Sequence, residues 1–270
     1  MTLTTLRLSE TGAQIAFRDA GQGVPLVLIH GVGMQSAAWE PQIAAFKGNN
    51  RVVAIDMPGH GGSDPLPDAP SLADYVAWLH AVLGALDLPS VSLAGHSMGA
   101  LIAGGFAVEH PNRVARVALL NGVFRRSDLA RDAVMARAAK IRAGSFDLET
   151  PLDRWFGSSP AEQTARAQVA GWLSAVNHKG YADAYTAFAE GDALYADRFC
   201  DIGCAFLALT GSDDPNSTPA MSRAMAEAAP FGRAVVIEGE RHMVNLTAPH
   251  PVNAALRDWL QVEIPERQSA

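Results

Sequence analysis

Short apolar runs recur along the chain at residues 24–29, 51–55, 91–94, 114–120, 205–209 and 234–237, each bounded by glycine, proline or polar residues. Runs this short and this uniformly aliphatic are those of strands buried on both faces of a parallel sheet. Between them lie stretches of helical periodicity at 71–86, 100–109, 218–229 and 251–262. Ser71 is placed to cap the first of these, with Asp74 three residues on in the place of the capping-box glutamate. Strand alternating with helix predicts an α/β protein with a mostly parallel, doubly wound sheet. Residues 6–8 and 14–17 instead alternate apolar with polar, which predicts an antiparallel hairpin at the sheet's edge.

One interval breaks the alternation. From 124 to 194 there is no strand-like run, only amphipathic pieces at 129–142, 161–176 and 181–189. In an open α/β sheet the loops beyond the strands' carboxyl ends surround the ligand crevice. A helical insertion after the 114–120 strand, the sixth, is therefore expected to lie over that crevice as a lid. The predicted organisation is a core in two parts, 1–123 and 195–270, with a cap at 124–194. The last residues, 265–270, read as a loose tail.

Composition narrows the class. With 270 residues, 49 % hydrophobic and 18 % charged, the chain has enough apolar surface for one large domain. A net charge of −7 argues against nucleic acid, which needs a basic face. No basic segment followed by an apolar stretch opens the chain, and no eighteen apolar residues run uninterrupted, so the expectation is a cytoplasmic protein without membrane contact. Cys200 and Cys204 are too few for a disulfide framework and lack neighbouring histidines at metal-ligand spacing. No metal or organic cofactor is expected. A small-molecule substrate and a monomer or homodimer are.

The chemistry concentrates at strand ends. Gly95-His96-Ser97-Met98-Gly99 is entered from an apolar strand and left through a small-residue helix, the setting in which a G-x-S-x-G turn holds a serine hydroxyl clear of the backbone. Such a serine needs a base, a group that orients the base, and donors for an oxyanion. His242 follows the 234–237 strand, and Asp214 lies in Gly211-Ser212-Asp213-Asp214-Pro215 after the 205–209 strand, with Asp213 its competitor. The chain order serine, acid, histidine is the one expected of a triad on such a sheet. The turn His30-Gly31-Val32-Gly33-Met34 offers the Val32 N–H as one oxyanion donor, and the N–H of Met98 offers the other. His30 and His60 read as loop braces, and His96 as a packing and orienting residue. Met34, Trp39, Met98, Asn121 and Phe124 stand near the catalytic edge as candidate pocket residues, with core packing the competing reading for Trp39 and Phe124. Arg125, Arg126, Arg131, Arg137, Lys140 and Arg142 make the start of the lid basic, and Arg125 or Arg126 is the candidate for a substrate carboxylate, against the reading of a solvated helix face.

These motifs, together with the Asp56-to-Asp64 turn and Gly239-Glu240-Arg241-His242, resemble those of the α/β-hydrolases with an inserted cap, over nearly the whole chain. The resemblance implies Ser97 as nucleophile, His242 as base, Asp214 as acid, and Val32 and Met98 as oxyanion donors. A serine at the elbow departs from the aspartate of haloalkane dehalogenases and epoxide hydrolases of this fold. Asn121 stands where some members carry the triad acid. Met243 follows the base, where carbon–carbon hydrolases of ring-cleavage products usually carry tryptophan. The pentapeptide and short cap are similar to those of esterases, enol-lactonases and cofactor-free haloperoxidase-like proteins. The expectation is thus a serine hydrolase of a carboxylic ester or lactone. Two alternatives remain at this point: a carbon–carbon bond hydrolase acting on a β-dicarbonyl or vinylogous acid, and a ligand receptor with vestigial turnover.

Overall fold

The computed structural model describes residues 2–67, 69–145 and 147–263; the predicted tail at 265–270 lies outside the described residues. Strands β1 (Thr4–Arg7) and β2 (Gln14–Ala20) form the expected edge hairpin, and β2 pairs antiparallel with β4 (Asn50–Ile55). From there the sheet is parallel: β3 (Val24–Ile29) lies between β4 and β5 (Val91–His96), followed by β6 (Val114–Leu120), β7 (Ala205–Gly211) and β8 (Gly232–Ile237). The order is β1-β2-β4-β3-β5-β6-β7-β8. The order reverses at β3 and β5, and crossover connections of this kind leave a crevice beyond the strand ends where ligands bind.

Both faces of the sheet are covered, which is why its central strands read as continuous aliphatic runs. On one face α2 (Leu72–Ala85) and α3 (Met98–Glu109) bury Leu79, Leu83, Ile102 and Phe106 against Val27, Ile29 and Leu93. On the other, α1 (Glu40–Phe46) and α10 (Pro249–Leu260) bury Ile43, Phe46, Leu256 and Trp259 against Leu26, Leu28 and Leu207. Ser71 and Asp74 form the capping box anticipated for α2. Helix α1 was not expected from sequence: at seven residues it is too short to show a periodic stripe, and packing rather than propensity sustains it.

Between β6 and β7 the described residues form the α-helices α4 (Asp128–Arg142), α5 (Glu149–Trp155), α6 (Pro160–Ala175) and α7 (His178–Gly191). The chain enters and leaves this cap side by side. Buried Asp192, at its end, accepts the Arg126 N–H at 2.6 Å and lies 3.7 Å from the Arg126 guanidinium and 3.5 Å from that of Arg131. The chain returns to the core through a 3-10 turn (Ala196–Asp201), and α8 (Pro219–Ala228) and the short α9 (Val244–Thr247) complete it. Among the described residues no helix is long and apolar enough to cross a membrane.

Candidate functional site

Ser97 occupies the single residue between β5 and α3, with φ 55° and ψ −114°. A side chain is strained in that region and is held there only by its surroundings. The neighbouring glycines are what make the turn possible: a Cβ at Gly95 would run into the Gly99 carbonyl, and one at Gly99 into the backbone of β3. The Ser97 N–H is anchored to the Leu120 carbonyl at 2.9 Å, while its hydroxyl makes no cap bond to α3. Met98 is the first residue of a twelve-residue helix. Its N–H is one of the four without an intrahelical acceptor, and the helix N-terminus favours negative charge beside the serine.

Two further side chains reach this serine from beyond the ends of β7 and β8. The His242 Nε2 lies 3.1 Å from Ser97 Oγ, and its Nδ1 lies 2.7 Å from Asp214 Oδ2. All three side chains are buried. Asp213 points away, exposed, its carboxylate taking the Ser212 hydroxyl, so the competition between the two adjacent acids falls to Asp214. The Asp214 carboxylate also accepts the N–H groups of Asn216 at 2.8 Å and Ser217 at 3.1 Å, and the Asn121 amide at 2.9 Å. Burial pushes this carboxyl up, but the His242 imidazole and the hydrogen bonds outweigh burial and hold it below the ordinary range. His96 Nε2 meets the His242 carbonyl at 2.8 Å, tying the loop of the base to the elbow.

The turn after β3 is braced by histidines. His60 Nε2 accepts the Gly33 N–H at 3.0 Å, and His30 Nε2 accepts the Met57 N–H at 2.9 Å. Burial lowers His30 to about 4; burial, aided by a neighbouring imidazole, lowers His60 and His96 to about 3. A histidine whose folded value is depressed stays neutral while the unfolded chain, titrating near 6.5, takes up protons. Stability is therefore lost as pH falls below about 6.5, by roughly 1.4 kcal/mol per pH unit per group, or about 4 for the three together. The urea midpoint is expected to fall steeply from pH 6 to pH 4.5, with a shallower slope in His60→Gln; equal slopes in the two proteins contradict this assignment.

Above Ser97 lies a cavity of about 770 Å³, bounded by the turn after β3, the two loops carrying Asp214 and His242, and helices α4, α5 and α7. Met34, a candidate pocket residue, lines it, as does Val32, the candidate oxyanion donor, whereas the Met98 side chain is buried in the core. The remaining candidate pocket residues lie elsewhere. Trp39 is fully buried on the opposite face of the sheet, packed with Leu26, Leu28 and Ile43. Phe124 packs against Phe199 in the core beneath the cap, 5.4 Å between centroids with the rings tilted by 35°. Asn121, at φ 48°, turns its amide back to Asp214 and Thr210 rather than toward the cavity. Removing its hydrogen bond to an ionised carboxylate costs about 1.5–3 kcal/mol. Asn121→Ala is accordingly expected to lower kcat about tenfold or more with KM changed less than threefold, and unchanged steady-state kinetics would refute that role.

Arg125 is corrected as well: half-exposed, it pairs with Asp197 at 2.5 Å outside the cavity. Its neighbour Arg126 does line the cavity, but its guanidinium already donates to the carbonyls of Phe188 and Ala189. The cations facing the cavity with donors to spare are Arg137, Lys140 and Arg154. Among the described residues neither Arg137 nor Arg154 has an ion pair; their polar contacts are to the Tyr185 hydroxyl at 3.4 Å and Asn216 Oδ1 at 3.3 Å. Burial, and then the charge of Arg137, lower Arg154 from its ordinary value. On α4 the signal was present in the sequence, since Ala130, Val134, Arg137 and Ile141 recur at helical spacing and form one inward stripe. Arg154 and Trp155 were missed because α5 is a seven-residue helix with no such stripe.

A strained serine at a strand-to-helix turn, an imidazole within hydrogen-bond reach, a buried carboxylate behind it, and a helix-lidded cavity define an α/β hydrolase. Residues 26–255 match the Alpha/beta hydrolase family, and the chain belongs to it. Among its relatives, it is 52 % identical over 257 residues to the (E)-2-((N-methylformamido)methylene)succinate hydrolase of Acinetobacter baylyi, covering 95 % of this chain and 97 % of that protein. The esterase of Thermogutta terrifontis, solved with malate bound, superposes with a TM-score of 0.87 at 25 % identity, covering 97 % of this chain and 98 % of the esterase. The enol-lactonase of Burkholderia xenovorans LB400 has the same fold, with a TM-score of 0.84 at 24 % identity over 96 % of this chain and all of that one.

Proposed function

We propose that this chain is a serine hydrolase of small, doubly anionic enamides of the 2-(acylaminomethylene)succinate type, cleaving the acyl C–N bond. The observation that carries the reading is the placement in the cavity that opens on Ser97 of two guanidiniums, Arg137 and Arg154, that have no ion pair among the described residues. The Asp147 carboxylate on the same wall offsets part of the Arg137 charge, but Arg137, Lys140 and Arg154 together leave the cavity with an excess of cations, which favours an anionic ligand, and two forked donors suit a dicarboxylate. The Acinetobacter relative is named for a succinate derivative, and the Thermogutta esterase was solved with another four-carbon dicarboxylate.

In such a substrate the amide nitrogen shares its lone pair with a double bond conjugated to a carboxylate. Amide resonance is weakened, the acyl carbon is more electrophilic, and the nitrogen leaves more readily. His242 takes the proton of Ser97 as Oγ attacks the acyl carbon, and the oxyanion is held by the N–H groups of Val32 and Met98. Asp214 fixes the imidazole tautomer and stabilises the imidazolium. His242 then protonates the departing nitrogen, and a water activated by the same imidazole releases the acid from the acyl-serine. Of the readings open at the sequence level, the carbon–carbon bond hydrolase of a β-dicarbonyl or vinylogous acid lies nearer to this one, through its conjugated non-ester substrate, than the ester or lactone hydrolase does.

The test compares (E)-2-((N-methylformamido)methylene)succinate, followed by formate release, with p-nitrophenyl acetate and a small lactone. A kcat/KM at least a hundredfold higher for the dicarboxylate is expected. A preference for the ester or the lactone would overturn the proposal.

A further inference from the structure

We infer that Trp155, on the cap helix α5, is a positioning residue for His242. The inference rests on the reading of Ser97, His242 and Asp214 as the reacting set and is independent of which substrate they act on. The indole lies over the imidazole with 5.7 Å between centroids and 26° between planes. Asp214 holds the imidazole through one in-plane hydrogen bond to Nδ1. A bond of that kind leaves the ring free to tilt about it, and a tilt carries Nε2 away from a serine oxygen that is already 3.1 Å distant. A stacked aromatic face opposes this motion and attracts the ring more strongly once it is protonated.

The mount of Trp155 is built for the task. Arg241, next to the base, donates to the α5 carbonyl of Asp153 at 3.1 Å and to that of Phe156 at 2.9 Å. Arg154, one residue before the indole, reaches Asn216, whose own N–H holds Asp214. Leu152 and Phe156 anchor the helix in the core, and Arg166 of α6 ties Glu149 and Asp153 from outside. One short cap helix thus touches both loops that carry the partners of Ser97, so the triad is fully ordered only beneath a seated cap.

A small neutral fluorophosphonate tests this without calling on the cap's cations. The Ser97 Oγ–P bond forms as P–F breaks, the serine proton passes to His242, and fluoride leaves to solvent. Labelling is expected to slow about tenfold or more in Trp155→Ala and to stay within threefold of wild type in Trp155→Phe, with far-ultraviolet circular dichroism unchanged. Equal labelling in wild type and Trp155→Ala overturns the inference. Equal slowing in the alanine and phenylalanine variants overturns stacking as its basis. Absence of labelling in wild type overturns the nucleophile itself.

Discussion

Replacing Arg154 by alanine is expected to lower kcat/KM for the dianionic enamide by about 10- to 100-fold, and the Arg137→Ala, Arg154→Ala pair by about 10³-fold, while p-nitrophenyl acetate hydrolysis falls only by the smaller factor that the Arg154–Asn216 contact contributes to seating α5. The magnitude follows from about 1.5–3 kcal/mol for each hydrogen bond between charged partners. Arg154 is partly buried, and its nearest polar partner is a neutral amide at 3.3 Å, so a carboxylate arriving there meets a cation with unused donors. Lysine is not expected to restore activity at 154, because an ammonium cannot present two parallel donors to a carboxylate. Arg125→Ala, by contrast, removes an exposed pair with Asp197 outside the cavity and is expected to leave both activities unchanged. Steady-state kinetics on the two substrates check all of these. Equal losses on the neutral ester would show that the arginines act on the fold and not on the anion.

Ser97→Ala is expected to lower kcat for the same substrate by about 10⁵-fold or more, His242→Ala comparably, and Asp214→Asn by about 10⁴-fold. The three act as a unit, so the losses will not add: the serine–histidine double variant is expected to be no worse than either single one. Ser97→Ala also relieves little strain, because the positive φ at 97 persists with any Cβ. Thermal stability close to wild type is therefore expected, which separates loss of chemistry from loss of fold.

That Ser97, Asp214 and His242 come together was legible in the sequence because each follows a strand whose apolar run marks it, and a parallel sheet gathers strand ends at one edge. The choice between Asp213 and Asp214 could be made only by the turn, which exposes the first and buries the second. For Trp39 and Phe124 the core-packing reading holds, and for Arg125 the solvated one; the pocket readings of all three fail for one common reason. Nearness to a strand end in sequence does not say on which side of the sheet a side chain emerges: Trp39 goes to the α1 and α10 face, Phe124 into the layer with Phe199, and Arg125, at φ 45°, turns outward where Arg126 turns in. Asn121 was assigned to the right edge but the wrong partner, since its left-handed backbone aims the amide at Asp214. The cap was visible as helical periodicity. Which of its faces looks down is fixed by tertiary packing, and α5, with the residues nearest His242, is too short to carry a pattern at all.

The central claim is that Ser97 opens the acyl C–N bond of a dianionic enamide. Formate release from (E)-2-((N-methylformamido)methylene)succinate, measured side by side in wild type and Ser97→Ala, tests it most directly. Saturable release in wild type and none above background in the variant is the predicted result. Release that persists without the serine, or a wild type that hydrolyses esters yet frees no formate, would contradict the account.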